Sequence, residues 1–419
     1  MRKSDEMSEE RKKPELLIPA GSLEVLKAAI IYGADAVYIG GDLYGLRAKA
    51  KNFSMEDMKE GIAFAHSYGK RVYVTANITA HNQDLEGIRR YFRELKAFGE
   101  YCPDAIIISD PGVFQIAQEE LGEIELHIST QANNTNYETY RFWYKLGAKR
   151  VVSARELSLE ELIELRRKIP PQMEIETFIH GAMCIAYSGR CLLSNYFTGR
   201  DANMGACTHS CRWRYHIVEE TRPGEYLPIE ENERGTYIFN SKDLCMIEYI
   251  PQLVKAGIDS FKIEGRMKTA LYVATVTRTY RRAIDDFFRD PDLYERNKPL
   301  YREEIKKGVN RQFTTGFFFG GPTREDQIYD HNTYEKSYTY LGMISGERDD
   351  LFALEQKNKF TVGETIEVIK PTGDTIETTV KRIVDEQGVD MESCPHPKQA
   401  IYVDIGTKLD LYDILRRKE

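Results

Sequence analysis

Four cysteines lie close together in the middle of the chain, and their side chains are the ones most suited to chemistry. They lie in the stretches HGAMCIAYSGRC and GACTHSCRW with the spacing C-x6-C-x15-C-x3-C, at Cys184, Cys191, Cys207 and Cys211. A fifth, Cys245, follows in SKDLC. Thiols that share one irregular segment can converge on a single metal ion or cluster.

The spacing alone leaves several chemistries open. Zinc sites usually have a tight C-x2–4-C pair at each end, and only the second pair here is tight. Iron–sulfur clusters also use four thiolates and accept wider spacing, which favours a cluster over zinc. A disulfide, buried unliganded thiols and a nucleophilic couple of His180 with Cys184 remain alternatives. Cys102 and Cys394 are isolated and need no function, since such cysteines behave as small buried apolar residues.

The composition is that of a globular protein with more than one domain. The chain has 419 residues, of which 42% are hydrophobic and 30% are charged. No apolar run approaches the roughly 18 residues that span a bilayer, and the start MRKSDEMSEERKK lacks the apolar stretch of a secretory signal. We expect no membrane association and a cytoplasmic location, where clustered cysteines are more often metal ligands or redox groups than disulfides. The net charge of −8 argues against a generally basic nucleic-acid binder but allows a local basic patch.

Short apolar runs alternate with amphipathic segments from residue 14 onwards. Eight runs are predicted as strands: PELLIPAG, ADAVYIGG, KRVYVTANI, PDAIIISD, IELHISTQ, AKRVVSAR, MEIETFIHG and DSFKIEGR. Helices are predicted between them, including one over LCMIEYIPQLVKAG, and a long one follows the last strand. This order predicts an α/β fold, a (β/α)8 TIM-like barrel over residues 14–287 with a cysteine-rich insertion, residues 181–240, after the seventh strand. A doubly wound open sheet is the weaker alternative, because no G-x-G-x-x-G follows the first strand.

The remaining segments have other patterns. Residues 1–13 are predicted as a disordered tail, and residues 288–336 as a connecting segment without a clear period. Residues 337–419 contain alternating runs such as ETIEV and IETTV around the turn KPTGDT. They are predicted to form a small antiparallel β-barrel.

The carboxyl ends of the predicted barrel strands are mostly polar. In such barrels these ends face the active-site mouth, although polar residues also occur where strands lead into solvated loops. The candidate catalytic residues at these ends are Asn77, Gln131, His180 and Glu264. Arg155 and Arg266 suit bidentate binding of a carboxylate or phosphate, with pairing to a neighbouring glutamate as the alternative.

Several stretches resemble a known family. These are PAGSLEVLKAAIIYGADAVYIGG, ETFIHGAMCIAYSGRCLLS, HISTQANNTN, NYFTGRDANMGACTHSCRWRY, NSKDLC and DSFKIEGRMK. They are similar to the collagenase-like peptidase family of unknown catalytic type, and especially to its branch of tRNA hydroxylation proteins. The resemblance covers residues 14–330 and implies an enzyme that makes 5-hydroxyuridine at the wobble position of tRNA without oxygen, with prephenate as the implied hydroxyl source.

The resemblance also implies a cofactor. Several members of the family carry a [4Fe–4S] cluster on four cysteines. Cys184, Cys191 and Cys207 match the ligand positions of the family. Cys211 is the expected fourth ligand, and Cys245 competes with it.

Substrate contacts and partners follow from the same resemblance. Prephenate has two carboxylates, so Arg47, Arg155 and Arg266 are candidate clamps. Arg212 and Trp213 follow the last clustered cysteine and are candidates for phosphate contact and base stacking, with a surface arginine and a core tryptophan as the alternative. The expected partners are tRNA and a shorter paralogue of the same family.

Two other functions remain in competition. A peptidase is suggested by the name of the family, but the sequence has no G-x-S-x-G or H-E-x-x-H motif, and a cysteine nucleophile would have to be one of the cluster thiols. A non-catalytic RNA-binding module would bind tRNA and leave its nucleosides unchanged.

Overall fold

The computed structural model describes residues 12–42, 44–45, 52–184, 186–212, 230–232, 235–237, 241–321, 326 and 335–419. Arg47, Trp213 and the side chain of Arg212 lie outside the described residues, as does nearly all of the predicted tail.

Eight parallel strands close into a barrel, which confirms the predicted fold class. The last strand pairs with both the seventh and the first, for example through Phe261 with Thr177 and with Leu16. Short strands rich in Val, Ile and Leu are typical of parallel sheets that are buried on both faces. The barrel strands are β1 (Glu15–Pro19), β2 (Ala36–Gly40), β3 (Arg71–Ala76), β4 (Ala105–Ile108), β5 (Glu125–Ile128), β6 (Arg150–Val152), β7 (Glu174–Gly181) and β11 (Ser260–Ile263).

Helices surround the barrel, and most of them begin at a polar capping residue. The side chain of Ser22 accepts a hydrogen bond from the Val25 amide, and Ser158 forms a capping box with Glu161. The described helices of the barrel region are α1 (Leu23–Ile31), α2 (Met55–Ser67), α3 (Leu85–Lys96), α4 (Pro111–Leu121), α5 (Tyr137–Lys145), α6 (Leu159–Lys168), α7 (Leu193–Thr198), α8 (Ile250–Lys255), α9 (Ala270–Arg289) and α10 (Pro291–Lys306).

The elements between β7 and β11 differ from the sequence prediction. Leu244 and Cys245, predicted to begin a helix, lie in β10 (Asp243–Cys245), which runs antiparallel to β7. Helix α8 begins only at Ile250, because Pro251 lacks an amide hydrogen and fits the first turn of a helix. Other short strands in the described residues are β8 (Glu230–Asn232), β9 (Gly235–Tyr237) and β12 (Phe313–Thr314).

Helix α10 lies in the segment that was predicted only as a connection. Asp290 caps it, and Tyr294, Tyr301 and Ile305 form its buried face. Pro299 and the many charged residues around it interrupt the helical pattern of the sequence, so the apolar period is difficult to recognise. Packing of the tyrosines against the end of α9 compensates for the poor propensity: the Tyr301 hydroxyl donates to Asp286 Oδ2 at 2.6 Å.

Charged side chains fill the amino end of the barrel. Arg150 Nη1 lies 2.6 Å from Glu15 Oε1 and 3.0 Å from Glu176 Oε2. Lys262 Nζ lies 2.6 Å from Glu176 Oε1, and the Tyr73 hydroxyl donates to Glu15 Oε2 at 2.7 Å. All five residues are buried. Since this end is filled by paired charges, the free face of the barrel is at the carboxyl ends of its strands.

The C-terminal region is an antiparallel eight-stranded sheet that curves into a half-barrel, in agreement with the predicted antiparallel β domain. Its core includes Leu341, Phe360, Ile383 and Val403. In sheet order the strands are β16 (Ile376–Thr379), β15 (Thr365–Ile369), β20 (Ile414–Lys418), β13 (Tyr338–Arg348), β14 (Leu351–Glu355), β19 (Ala400–Asp404), β17 (Arg382–Asp385) and β18 (Asp390–Met391).

This sheet packs against α1 and α9 of the barrel. The Tyr32 hydroxyl donates to the Ile369 carbonyl at 2.6 Å, and Arg278 Nη1 donates to the Lys370 carbonyl at 3.0 Å. Lys357 Nζ lies 2.9 Å from Glu24 Oε2. These contacts join the C-terminal sheet to helices on the outside of the barrel. No helix among the described residues is long and apolar enough to cross a membrane.

Candidate active site at the barrel mouth

Polar side chains gather where the parallel strands end. Asn77 follows β3, and its Nδ2 donates to the hydroxyl of Ser129 at 3.2 Å, just after β5. Gln131 lies in the short turn that follows Ser129. Arg155 follows β6, and Glu264 follows β11. The predicted strand-end residues are therefore brought to one face by the closure of the barrel.

Arg155 links a carboxylate to a cysteine. Its Nη2 lies 3.4 Å from Glu264 Oε2, and its Nη1 lies 3.7 Å from Cys184 Sγ. The guanidinium carbon lies 4.0 Å from the centre of the Phe178 ring. Arg155 therefore holds the Cys184 thiol at the mouth, and its predicted contact with a substrate stays a prediction.

Arg266 is buried and forms part of the wall of the mouth. Its Nη1 donates to Thr75 Oγ1 at 3.1 Å, and its Nη2 donates to Asn52 Oδ1 at 3.3 Å. The guanidinium lies directly against Gly40, at the end of β2. Arg266 thus ties the chain after β2 to β3, which limits its availability as the predicted substrate clamp.

Replacing Gly40 by alanine is expected to lower the free energy of unfolding by about 1–3 kcal/mol, because a methyl group there would occupy the space of the Arg266 guanidinium. Urea denaturation measures this change. Gly321→Ala is the matched control, since a Cβ at Gly321 would meet no atom of the described residues within 4 Å. Equal stability of the two variants would contradict the packing role of Arg266.

His180 lies behind the mouth in an aromatic cage. Its ring centre is 5.5 Å from that of Tyr280 and 5.7 Å from that of Phe313. Burial, which disfavours the charged imidazolium, lowers the pKa of His180 to about 4. Among the described residues no hydrogen bond joins His180 to Cys184. The geometry therefore supports a neutral packing role over a Cys–His nucleophilic couple.

The four clustered cysteines form no disulfide and lie in the segment that crosses the mouth. Cys184 and Cys207 are exposed, whereas Cys191 and Cys211 are half-buried. The His209 amide donates to Cys207 Sγ at 3.4 Å, a contact of the kind that stabilises cluster thiolates.

The donor chemistry of the four thiols fits an iron–sulfur cluster. The structure does not bring the four thiols to a common centre. In the described part of the chain, no group of three His, Cys, Asp or Glu side chains is arranged to hold a metal ion. A cluster would have to draw these loop residues together.

Cys245 lies apart from this group. Its Sγ is 3.8 Å from the Tyr280 hydroxyl, on the side of β10 that faces α9. Burial raises the pKa of the Cys245 thiol to about 11, so the proton is retained at neutral pH. This placement favours Cys211 over Cys245 as the fourth ligand.

Two amide oxygens at the mouth are buried without a hydrogen-bond partner in the described residues: Gln131 Oε1 and Asn203 Oδ1. Both side chains lie beside Gly189, where an added Cβ would be 3.5 Å from Asn203 Oδ1 and 3.6 Å from Gln131 Cδ. Buried polar atoms are normally paired, so unpaired acceptors at a mouth indicate a place for a ligand donor. Asn203 was not among the predicted residues, because nothing in its sequence context distinguishes it from a loop asparagine.

The segment from 186 to 206 is attached to the barrel on two sides. Asn133 Nδ2 donates to the Ser188 carbonyl at 3.0 Å, and Arg190 Nε donates to Asn133 Oδ1 at 2.6 Å. The Thr79 amide donates to the Asn203 carbonyl at 3.2 Å. The cysteine segment therefore lies over the ends of β3 and β5 and forms part of the mouth.

Comparisons with known proteins agree with this architecture. Residues 21–328 match peptidase family U32, and residues 336–416 match the peptidase family U32 C-terminal domain. The chain is 41% identical to tRNA hydroxylation protein P1 of Bacillus subtilis, covering 97% of this chain and 95% of that protein. It is 39% identical to tRNA hydroxylation protein P of Escherichia coli, covering 97% of each.

A partial match extends the similarity to a protein named for the modification of ribosomal RNA. The chain is 38% identical to the 23S rRNA 5-hydroxycytidine C2501 synthase of Escherichia coli over 65% of this chain and 39% of that protein. On the evidence of the two domain matches and the relatives aligned over nearly their full length, the chain belongs to peptidase family U32.

Proposed function

We propose that the chain is an enzyme that hydroxylates tRNA. The observation that carries the proposal is its similarity, over almost its whole length, to proteins named for tRNA hydroxylation. In its finer form, the proposal is that the product is 5-hydroxyuridine at the wobble position, formed without oxygen, with prephenate as the hydroxyl source. A wobble base lies in a single-stranded loop, so its entry into a barrel mouth costs little unstacking.

The amide oxygens of Gln131 and Asn203, which have no hydrogen-bond partner in the described residues, support a nucleobase ligand. A primary amide offers both N–H donors and a carbonyl acceptor. The edge of uracil offers an N–H group between two carbonyls, so two such amides can pair with it. Gln131 and Asn203 would then hold the base in the mouth, with Asn77 close by through its hydrogen bond to Ser129.

Arg155 is the described residue best placed for a carboxylate of prephenate. It lies at the end of β6 beside Glu264 and Cys184, whereas Arg266 is buried beneath Gly40. Arginine suits planar bidentate recognition of a carboxylate. The pairing of Arg155 with Glu264 at 3.4 Å is loose enough for a substrate carboxylate to compete for the guanidinium.

A [4Fe–4S] cluster on Cys184, Cys191, Cys207 and Cys211 completes the proposal. When bound, such a cluster supplies electron transfer at a potential set by its surroundings. The Arg155 guanidinium and the His209 amide would each stabilise a ligand thiolate. A tRNA substrate implies a cytoplasmic location, and a shorter paralogue is the proposed protein partner.

The proposal is tested with the anaerobically purified protein, unmodified tRNA and prephenate, and with nucleoside mass spectrometry as the readout. Wild type is expected to form 5-hydroxyuridine only when prephenate is present. Gln131→Leu is expected to lower kcat/KM about 10- to 100-fold, because it removes the hydrogen bonds to the base. Gln115→Leu, on the exposed surface of α4, is the matched control and should retain full activity.

Two results would overturn the proposal. Binding of tRNA by the cluster-loaded protein without any change of its nucleosides would indicate an RNA-binding module. Peptide cleavage that persists after removal of iron would instead indicate a peptidase. Equal loss of activity in Gln131→Leu and Gln115→Leu would remove the base-holding role from Gln131.

A further inference from the structure

The segment that crosses the mouth exposes large apolar side chains. Tyr196 is 81% exposed, Phe197 and Tyr187 are each 45% exposed, and Leu192 is 66% exposed. The rings of Tyr196 and Phe197 are in edge-to-face contact, with centres 5.0 Å apart. Clustered exposed apolar residues mark interaction sites more often than isolated ones do. We call Tyr187, Leu192, Tyr196 and Phe197 the aromatic rim.

A rigid local framework holds the aromatic rim outward. Ser194, on the same short helix, is buried, and its Oγ accepts from the Thr208 amide at 3.0 Å. Thr198 Oγ1 donates to the Ser194 carbonyl at 2.6 Å, and Gly199 ends the helix in the left-handed conformation. The buried side of α7 is thus fixed by polar contacts, while much of the ring surface of Tyr196 and Phe197 remains exposed to solvent.

The charge of this segment differs from that of the chain as a whole. Between residues 186 and 212 the sequence has three arginines, Arg190, Arg200 and Arg212, and one carboxylate, Asp201, although the net charge of the chain is −8. Asp201 accepts a hydrogen bond from Asn195 Nδ2 at 2.7 Å. A local excess of arginine beside exposed rings is complementary to a nucleic-acid strand, whose phosphates meet the cations and whose bases meet the rings.

The position of the aromatic rim fits the same partner. Ser188 and Arg190, between Tyr187 and Leu192, are hydrogen-bonded to Asn133 at the end of β5. The aromatic rim is therefore continuous with the mouth that contains Gln131. When one nucleotide of an RNA strand enters the mouth, the nucleotides on either side of it would lie beside the aromatic rim.

We propose that Tyr196 and Phe197 form a stacking platform for the unpaired bases that flank the target nucleotide of a single-stranded RNA loop. The inference rests on the proposed function for the presence of RNA at the mouth and goes beyond it in naming the residues that hold the loop. Stacking on aromatic side chains tolerates any base, so the platform adds affinity for unpaired loops and little sequence preference.

The test is the affinity of the anaerobically purified protein for a fluorescently labelled, unmodified anticodon stem-loop, measured by anisotropy. Tyr196→Ala and Phe197→Ala are each expected to weaken binding about tenfold. Tyr196→Trp should retain binding, and its added indole should be quenched by the bound RNA. Tyr144→Ala, which removes a 37% exposed tyrosine from α5, is the control and should bind as wild type does.

Further measurements separate the outcomes. The double variant Tyr196→Ala, Phe197→Ala should bind a duplex RNA without a loop as wild type does. Unchanged stem-loop affinity in that variant overturns the platform, and so does a change of oligomeric state in light scattering with RNA affinity intact, since the rings would then serve a protein interface.

Hydroxylation is measured separately with saturating tRNA. If wild type forms no 5-hydroxyuridine and the double variant still loses stem-loop affinity, the proposed function fails and the platform stands. If wild type hydroxylates tRNA and the double variant binds normally, the platform alone fails.

Discussion

Arg150→Met is expected to lower the free energy of unfolding by about 3–5 kcal/mol, the usual cost of removing one partner of a buried ion pair. The Arg150 side chain is 1% exposed and contacts Glu15, Glu174 and Glu176 at the amino end of the barrel. Methionine fills a similar volume but leaves these carboxylates without their shared cation. Urea denaturation monitored by circular dichroism measures the change.

An exposed pair provides the control for this prediction. Arg382 and Asp390 form an ion pair on the surface of the C-terminal sheet. Arg382→Met is expected to leave stability almost unchanged, because water screens exposed pairs. A similar loss in both variants would contradict a special role for the buried network.

The same network is also expected to make the free energy of unfolding depend on pH in the acid range. Burial alone would raise the pKa of the Glu15 carboxyl, but Arg150 and Arg71 overcome burial and lower it from 4.5 to about 2. A lowered folded-state pKa contributes stability above the unfolded value, and this contribution is lost as pH falls from about 4.5 towards 2. Its size is about 3 kcal/mol at about 1.4 kcal/mol per pKa unit. Arg150→Met should lose most of this dependence between those pH values.

The barrel could be predicted because local signals agree with the global fold. Strand runs such as AIII in β4 alternate with helices that begin at good capping residues, among them Ser22, Ser54 and Ser158. The predicted secondary structure was wrong where tertiary packing overrides the local sequence pattern. Helix α10 depends on the burial of Tyr294 and Tyr301, and β10 depends on pairing with β7, a strand more than sixty residues earlier.

The candidate site could be predicted in less detail than the fold. Closure of a parallel barrel brings strand ends together, so the gathering of Asn77, Gln131, Arg155 and Glu264 followed from topology. The direction and partners of each side chain depend on neighbours that are distant in sequence. The burial of Arg266 beneath Gly40 is one result, and the exposure of Tyr196 is another. A sequence pattern cannot distinguish an arginine that clamps a loop from one that clamps a ligand.

The cysteine assignment makes the second large prediction. Serine in place of Cys184, Cys191 or Cys207 is expected to reduce the iron and sulfide of anaerobically purified protein to background and to abolish formation of 5-hydroxyuridine. The reason is that a cluster of this type is held by thiolates, and serine is a poor substitute for a thiolate ligand. Cys102→Ser is the matched control, because the Cys102 thiol donates to the Lys96 carbonyl at 3.2 Å and has no place at the mouth. Full iron content in the three variants would refute the ligand set.

The fourth ligand is decided by comparing Cys211→Ser with Cys245→Ser. Cys211 lies in the same segment as Cys207, four residues further along, whereas Cys245 is held against Tyr280 behind β7. A cluster can draw in a half-buried loop thiol by moving the loop, but recruiting Cys245 would require breaking the pairing of β10 with β7. We therefore expect iron to be lost in Cys211→Ser and retained in Cys245→Ser. The opposite pattern would mean that β10 separates from β7 when the cluster binds. The Met246 amide donates to the Ile179 carbonyl at 2.9 Å. Its hydrogen exchange would then be faster in the iron-loaded protein.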